Sequence, residues 1–240
     1  MSLSRGTLVL VPVSLGETPW TAYLPLDAQQ WVAGIRHFVV ENAKAARSQL
    51  KRLEHPGPLR ELDIRILPEQ GDDADLDALL APALAGEDVG LMSDAGCPAV
   101  ADPGARLVAR AHALDIRVHP LVGPSSILLA LMGSGLNGQS FAFCGYLPVA
   151  EAERDIRICE LESQSRKLGR TQIFIETPYR NERMLEALLK VCGPTTRLCI
   201  ARDITTTGEW IRTHSIAQWR TDSEKADLAR RPSLFLILAD

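Results

Sequence analysis

The sequence predicts an α/β fold built from two α/β domains. Three observations carry this. Short β-rich apolar runs alternate with longer helical patterns along the chain. Several of those runs end in Gly, Pro, Ser or Asp and lead straight into a helical pattern. And 240 residues with 46% hydrophobic content can bury a sizeable core in one large or two modest domains.

In chain order, Leu8-Val11, Phe38-Val40, Ile64-Leu67, Val89-Met92 and Val118-Val122 each read as a strand with a helix candidate nearby. Among those helices are the basic stretch from Lys44 to Arg52 and the pattern Ala105 to Leu114. Such alternation predicts a parallel sheet. After Gly123 an apolar helix runs from Ser126 to Met132, followed by strand-like runs at Phe141-Tyr146, Gln172-Ile175, Arg197-Ala201 and Ser233-Leu238. These predict a second α/β layer. The turn from Pro120 to Ser125 is the natural boundary, giving an N-terminal α/β domain over 1–121 and a C-terminal α/β domain over 122–240. A cleft between the halves is the expected ligand site.

Composition narrows the classes. The longest apolar stretch, Ile127 to Met132, is far too short to span a membrane, and no basic start with a long apolar core opens the chain, so a cytoplasmic protein is expected. Five cysteines, Cys97, Cys144, Cys159, Cys192 and Cys199, show neither metal-ligand spacing nor a disulfide framework and read as mostly buried small residues. A net charge of −4 argues against a wholesale polyanion binder, while Lys44, Arg47, Lys51 and Arg52 form a local basic cluster that can meet phosphates.

The most informative segment runs from Ser93 to Gly104, Ser-Asp-Ala-Gly-Cys-Pro-Ala-Val-Ala-Asp-Pro-Gly, between a strand and a helix. Ligands collect beyond the carboxyl ends of strands in open α/β sheets; Gly96 and Gly104 let backbone approach closely, and Asp94 or Asp102 can receive hydroxyl or amino groups. The same residues would also serve as a capped turn, with Asp102 as N-cap and Pro103 in the first helical position. Gly123-Pro124-Ser125-Ser126 similarly closes a strand and opens a helix, offering N–H groups and hydroxyls to a carboxylate or ribose, or simply capping. In Glu176-Thr177-Pro178-Tyr179-Arg180-Asn181, Glu176 can meet a ribose or amine, and Arg180 can meet a phosphate or pair with Glu182 or Glu186. Val40-Glu41-Asn42-Ala43-Lys44 ends another apolar run with polar groups.

Gly133-Ser134-Gly135-Leu136-Asn137-Gly138 matches a dinucleotide-binding spacing, but a helix precedes it and a strand follows, the reverse of what a pyrophosphate site needs. It reads as a helix C-cap and turn. The five histidines have no Ser or Cys at a spacing that suggests a nucleophile and its base.

Taken in order, Gly6-Thr7-Leu8 with Ser14-Leu15-Gly16, Glu41 before a basic helix, Leu91 to Pro98 with Asp102-Pro103-Gly104, Leu121 to Ser126, Gly145-Tyr146-Leu147-Pro148 and Glu176 to Arg180 resemble the tetrapyrrole methylase superfamily. Within it they are most similar to the 16S ribosomal RNA cytidine 2′-O-methyltransferase branch. The resemblance implies two α/β domains, S-adenosylmethionine in the cleft between them, no metal, and a homodimer. It implies cofactor binding by Pro12, Ser93, Asp94, Ala95, Gly96, Ser125, Ser126, Glu176 and Thr177. For a ribose 2′-hydroxyl acceptor on the small ribosomal subunit, Glu41 is the expected base, with Lys44 and Arg180 anchoring phosphates. The branch carries Ala-Glu-Asp-Thr-Arg where this chain has Val40 to Lys44, so an acidic pair is broken. A methylase of a tetrapyrrole or other small molecule, with an apolar acceptor trough, is the alternative; a non-catalytic cofactor-binding module is the alternative of another class. A nucleotide-dependent oxidoreductase would need a phosphate loop that this chain does not place correctly.

Overall fold

In the computed structural model, which describes residues 5–222 and 226–240, the chain divides into two units, Met1–Ser125 and Ser126–Asp240. The division falls a few residues beyond the expected 121/122 boundary. Gly123 and Pro124 stay with the first unit because Pro12 packs on Gly123 and the Cys97 thiol donates to the Pro124 carbonyl.

The first unit holds β1 (Thr7–Leu10), α1 (Leu26–Gly34), β2 (His37–Val40), α2 (Ala43–Arg52), β3 (Asp63–Ile66), α3 (Asp73–Leu84), β4 (Val89–Met92), α4 (Ala105–Ala113) and β5 (Arg117–Pro120). A short 3₁₀ turn, Trp20–Ala22, precedes α1. Its sheet runs β3-β2-β4-β1-β5 with every pairing parallel, as the alternation predicted. Strand residues alternate between faces, and both faces are covered. Val9, Phe38, Val40 and Met92 join Val32 and Leu50 in one cluster, while Leu8, Val39 and Leu91 join Leu80 and Leu107 in another.

The helices are specified locally. Asn42 caps α2 by accepting from the Lys44 and Ala45 N–H groups. Asp72 and Asp75 form a reciprocal capping box at the start of α3. Near its end Pro82 has no N–H for the Ala78 carbonyl, and Arg65 Nη1 donates to that carbonyl at 3.0 Å instead. At the opposite end of the chain's first strand, Asp88 ties α1 to β1 by accepting from Trp31 Nε1 and the Thr7 N–H, each at 2.8 Å.

The second unit holds α5 (Ser126–Ser134), β6 (Phe141–Tyr146), α6 (Glu151–Leu168), β7 (Thr171–Glu176), α7 (Asn181–Val191), β8 (Arg197–Arg202), β9 (Trp210–Ser215), α8 (Ile216–Thr221) and β10 (Ser233–Leu238). Its sheet, β6-β7-β10-β8-β9, is mixed: β6 and β7 are parallel and the remaining pairings antiparallel. Phe174 and Phe235 stack at 5.9 Å in a core completed by Ile158, Leu161 and Leu188. The apolar helix α5 packs against β8, β9 and β10.

Two local expectations are corrected. Asp102 and Pro103 do not start α4: the helix begins at Ala105 behind Gly104, and Asp102 instead accepts from the Ala99 and Gly104 N–H groups. The cysteines are free, but only Cys192 and Cys199 are buried, with desolvation pushing their thiols up to about 12 and about 11; Cys97 and Cys144 are half-buried and Cys159 is exposed. The glycine-rich segment behaves as read: α5 ends at Ser134 and Gly135 takes φ +67°. Among the described residues no helix is long and apolar enough to cross a membrane.

Candidate functional site

In the first unit, three segments are woven together beyond the carboxyl ends of β1, β4 and β5. β4 delivers buried Ser93, whose Oγ donates to the Ala95 carbonyl at 3.2 Å. Asp94 and Ala95 that follow are exposed, and Gly96 turns the chain at φ +75°. A two-way backbone clip then holds the turn, Val13 N–H to Gly96 O at 2.9 Å and Gly96 N–H to Val13 O at 3.2 Å. Pro12, buried just before that clip, carries its ring against Gly123. The structure therefore brings Pro12, Ser93 to Gly96 and the 123–125 segment to one end of one sheet.

Carboxylates gather at the same end. Glu41 follows β2, whose last residue Val40 pairs with Met92 at the end of β4, so Glu41 lies beside the Ser93–Gly96 turn. Its carboxylate is half-buried, and the Asp94 main chain favours its charged form. Burial, and then the neighbouring charges of Asp102 and Asp94, push the Glu41 carboxyl above the ordinary glutamate value. Burial likewise raises Asp102, against the lowering effect of its N–H donors Gly104 and Ala99. Those two bonds, each 2.8 Å, hold a loop in which Ala99 and Ala101 take left-handed φ values of 65° and 63°. Such conformations cost about 1 kcal/mol each for a residue with a Cβ, and Asp102 Oδ1 ties the loop at Ala99 and Gly104. Lys44 sits exposed in the first turn of α2.

In the second unit, Glu176 ends β7 with its side chain only 2% exposed. One oxygen, Oε1, accepts from Arg180 Nη2 at 2.6 Å, Arg180 Nε at 3.0 Å and the Thr177 N–H at 2.6 Å. Arg180 Nε also reaches Thr177 Oγ1 at 3.2 Å. The partner of Arg180 is thus Glu176 rather than Glu182 or Glu186, and the two side chains clasp the turn that leads into α7. Ser126 opens α5 and is half-buried.

Sequence reading missed the fit of Pro12 to Gly123 and the Val13–Gly96 clip, because both join segments distant in the chain. The glycine at 123 was the available signal.

A family described as Tetrapyrrole (Corrin/Porphyrin) Methylases matches residues 9–219. A ribosomal RNA small subunit methyltransferase I of Pseudomonas aeruginosa is 31% identical over 216 residues, covering 90% of this chain and 72% of the relative. The protein of the same name from Vibrio cholerae is 32% identical over 172 residues, covering 72% of this chain and 58% of its own length. That from Mesorhizobium japonicum is 41% identical over 138 residues, and this chain spans 46% of it. Among solved structures, the methyltransferase CobJ aligns with a TM-score of 0.63 at 16% identity over 98% of this chain and 94% of CobJ. The uroporphyrin-III-C-methyltransferase of Thermus thermophilus aligns at 0.52 and 20% identity over 98% and 92%. At these identities the structural likeness speaks for the fold.

Proposed function

Because the chain belongs to the tetrapyrrole methylase family, we propose that it is an S-adenosylmethionine-dependent methyltransferase acting on a ribose 2′-hydroxyl of small-subunit ribosomal RNA. The observation that carries the acceptor chemistry is Glu41, a half-buried carboxylate with a raised proton affinity, set beside the exposed Asp94–Ala95 turn. Relatives named for ribosomal RNA methylation over most of the chain support the substrate.

The donor set present fits the cofactor. An amino acid with a ribose and a purine calls for exposed main-chain groups, hydroxyls and carboxylates near apolar walls. Here Asp94 and Ala95 are exposed residues at a glycine turn, Ser126 offers a half-buried hydroxyl at the start of α5, and Pro12 offers a buried apolar wall. Within the first unit we assign binding to Pro12, Ser93, Asp94, Ala95, Gly96 and Ser125; in the second unit, taken by itself, the family resemblance implies Ser126, Glu176 and Thr177. Bound S-adenosylmethionine supplies an electrophilic methyl on a sulfonium.

The chain's own residues then position and deprotonate. Glu41 takes the proton of the attacking hydroxyl, a task favoured by a carboxyl that burial and neighbouring acids bring closer to neutrality. Lys44, exposed at the start of α2, anchors a phosphate without reading its base. Arg180, committed to Glu176 in this structure, keeps one edge of its guanidinium for the same purpose. Most of the acceleration comes from in-line placement of the two reactants. The reading includes a homodimer, which the family resemblance implies, and a cytoplasmic location, in keeping with relatives named for ribosomal RNA methylation.

The test is transfer of a labelled methyl group from S-adenosylmethionine to small ribosomal subunits taken from a strain that lacks this modification. Label on a ribose of the RNA supports the reading. Label accepted by a tetrapyrrole and not by the subunit would replace it with small-molecule methylation.

A further inference from the structure

At the carboxyl end of β7 the second unit presents two exposed tyrosines among arginines. Tyr146, the last residue of β6, pairs with Ile175 beyond an irregularity in the ladder after Phe143 and is 58% exposed. Tyr179, three positions beyond Glu176 in the turn, is 82% exposed. That turn is a rigid frame. The Glu176–Arg180 clasp closes it from within, and the Arg180 N–H donates to the Thr177 carbonyl at 2.9 Å. From the loop before β10, the Arg230 N–H donates to the Pro178 carbonyl at 3.2 Å. Fully buried Asn181 donates from Nδ2 to the Arg231 carbonyl at 2.6 Å.

The charges on this edge are divided by function. Arg231 is spent on Asp203 at 2.7 Å and Asp227 at 2.8 Å. Its neighbour Arg230, held at φ +59°, is exposed, as is Arg183 in the first turn of α7. Among the described residues neither has an ion pair, and Glu182 and Glu186 are the exposed acids on α7 near Arg183. An aromatic face held on a fixed turn, next to uncommitted guanidinium groups, is the chemistry that takes unpaired bases and their phosphates.

We propose that the edge formed by Tyr146, Tyr179, Arg183 and Arg230 binds a single-stranded stretch of RNA, Tyr179 stacking on a base and Arg230 meeting a phosphate. The inference rests on the ribosomal RNA reading above and adds where, and in what conformation, the RNA is met. Stacking tolerates any base, so this edge contributes affinity and placement of the strand, while the choice of nucleotide is left to the methyl-transfer site.

The test is fluorescence anisotropy of a fluorescein-labelled, unstructured RNA of about 12 nucleotides, titrated with the full chain at several salt concentrations. Y179A is expected to weaken binding about 5- to 100-fold, while Y179F stays within about twofold because its ring still stacks. R230A is expected to weaken binding and to reduce the slope of log K against log salt by about one. S-adenosylhomocysteine affinity is the control and stays unchanged in all three variants. Wild-type affinity for RNA in both Y179A and R230A overturns the proposal, as does a wild-type chain that binds no RNA. If those variants bind the RNA normally yet methylate assembled subunits poorly, the edge meets protein and the RNA assignment falls. A wild-type chain that methylates subunits in any of these cases leaves the methyltransferase reading standing.

Discussion

The ring of Pro12 occupies the space that a side chain at position 123 would need: a Cβ on Gly123 would lie 2.1 Å from Pro12 Cγ. Residues far apart in the chain thereby share one van der Waals volume beside the Ser93–Gly96 turn. G123A must push the two segments apart, at a cost of roughly 1–3 kcal/mol in the manner of other overpacked sites. Urea unfolding is expected to show that loss together with weakened S-adenosylhomocysteine binding. Unchanged stability would mean that the 123–125 loop yields freely.

Glu41 joins a catalytic assignment to an electrostatic cost. E41Q is expected to lower methyl transfer by about 10²–10⁴-fold while cofactor affinity holds. Its effect on stability has a defined sign. The fold raises the Glu41 carboxyl, so this group favours folding at low pH, and that contribution is lost as pH rises through the raised value. At pH 8 the glutamine relieves a half-buried charge, and the melting temperature of E41Q should equal or exceed that of the wild type. The difference should shrink as the pH approaches the acid range. A variant that melts lower at pH 8 than the wild type would contradict the electrostatic account.

Asp102 sets part of the field that Glu41 feels. D102N keeps an oxygen for the Ala99 and Gly104 N–H groups but removes the charge. The acid limb of kcat/KM against pH is expected to move to lower pH in this variant. A limb that stays in place would assign the observed titration to another group.

The Glu176–Arg180 pair is a buried clasp, and removing one partner strands the other. R180A leaves the Glu176 carboxylate, 2% exposed, without its cation, which typically costs about 3–5 kcal/mol. Denaturant unfolding of R180A should show a loss of that order, and of E176Q/R180M a much smaller one. Equal losses in both would place the stability in packing rather than in charge.

Much of the fold was legible because its determinants are local. Runs such as Val89–Met92, buried on both faces, read as parallel strands without knowledge of their neighbours, and Asn42 before Ala43 marks a helix start. β9 escaped because Trp210 to Ser215 is only partly buried and carries Arg212 and His214, which dilute the apolar pattern of an edge strand. The mixed second sheet escaped because alternation along the chain cannot show that β10 inserts between β7 and β8 in antiparallel sense. The placement of Glu41, Asp94 and Gly96 just beyond strand ends was legible from the apolar runs that precede them. The partner of Arg180 was not: Glu176 and Glu182 both lie within reach along the sequence, and only the turn at Pro178 directs the guanidinium back to Glu176.

The most direct test of the central claim is calorimetric titration of the chain with S-adenosylmethionine and S-adenosylhomocysteine, on the wild type and on G123A. A single saturable site for both ligands in the wild type, weakened in G123A, is the predicted result. No heat of binding for either ligand in a folded wild-type protein would contradict the assignment of these loops as a methyl-donor site.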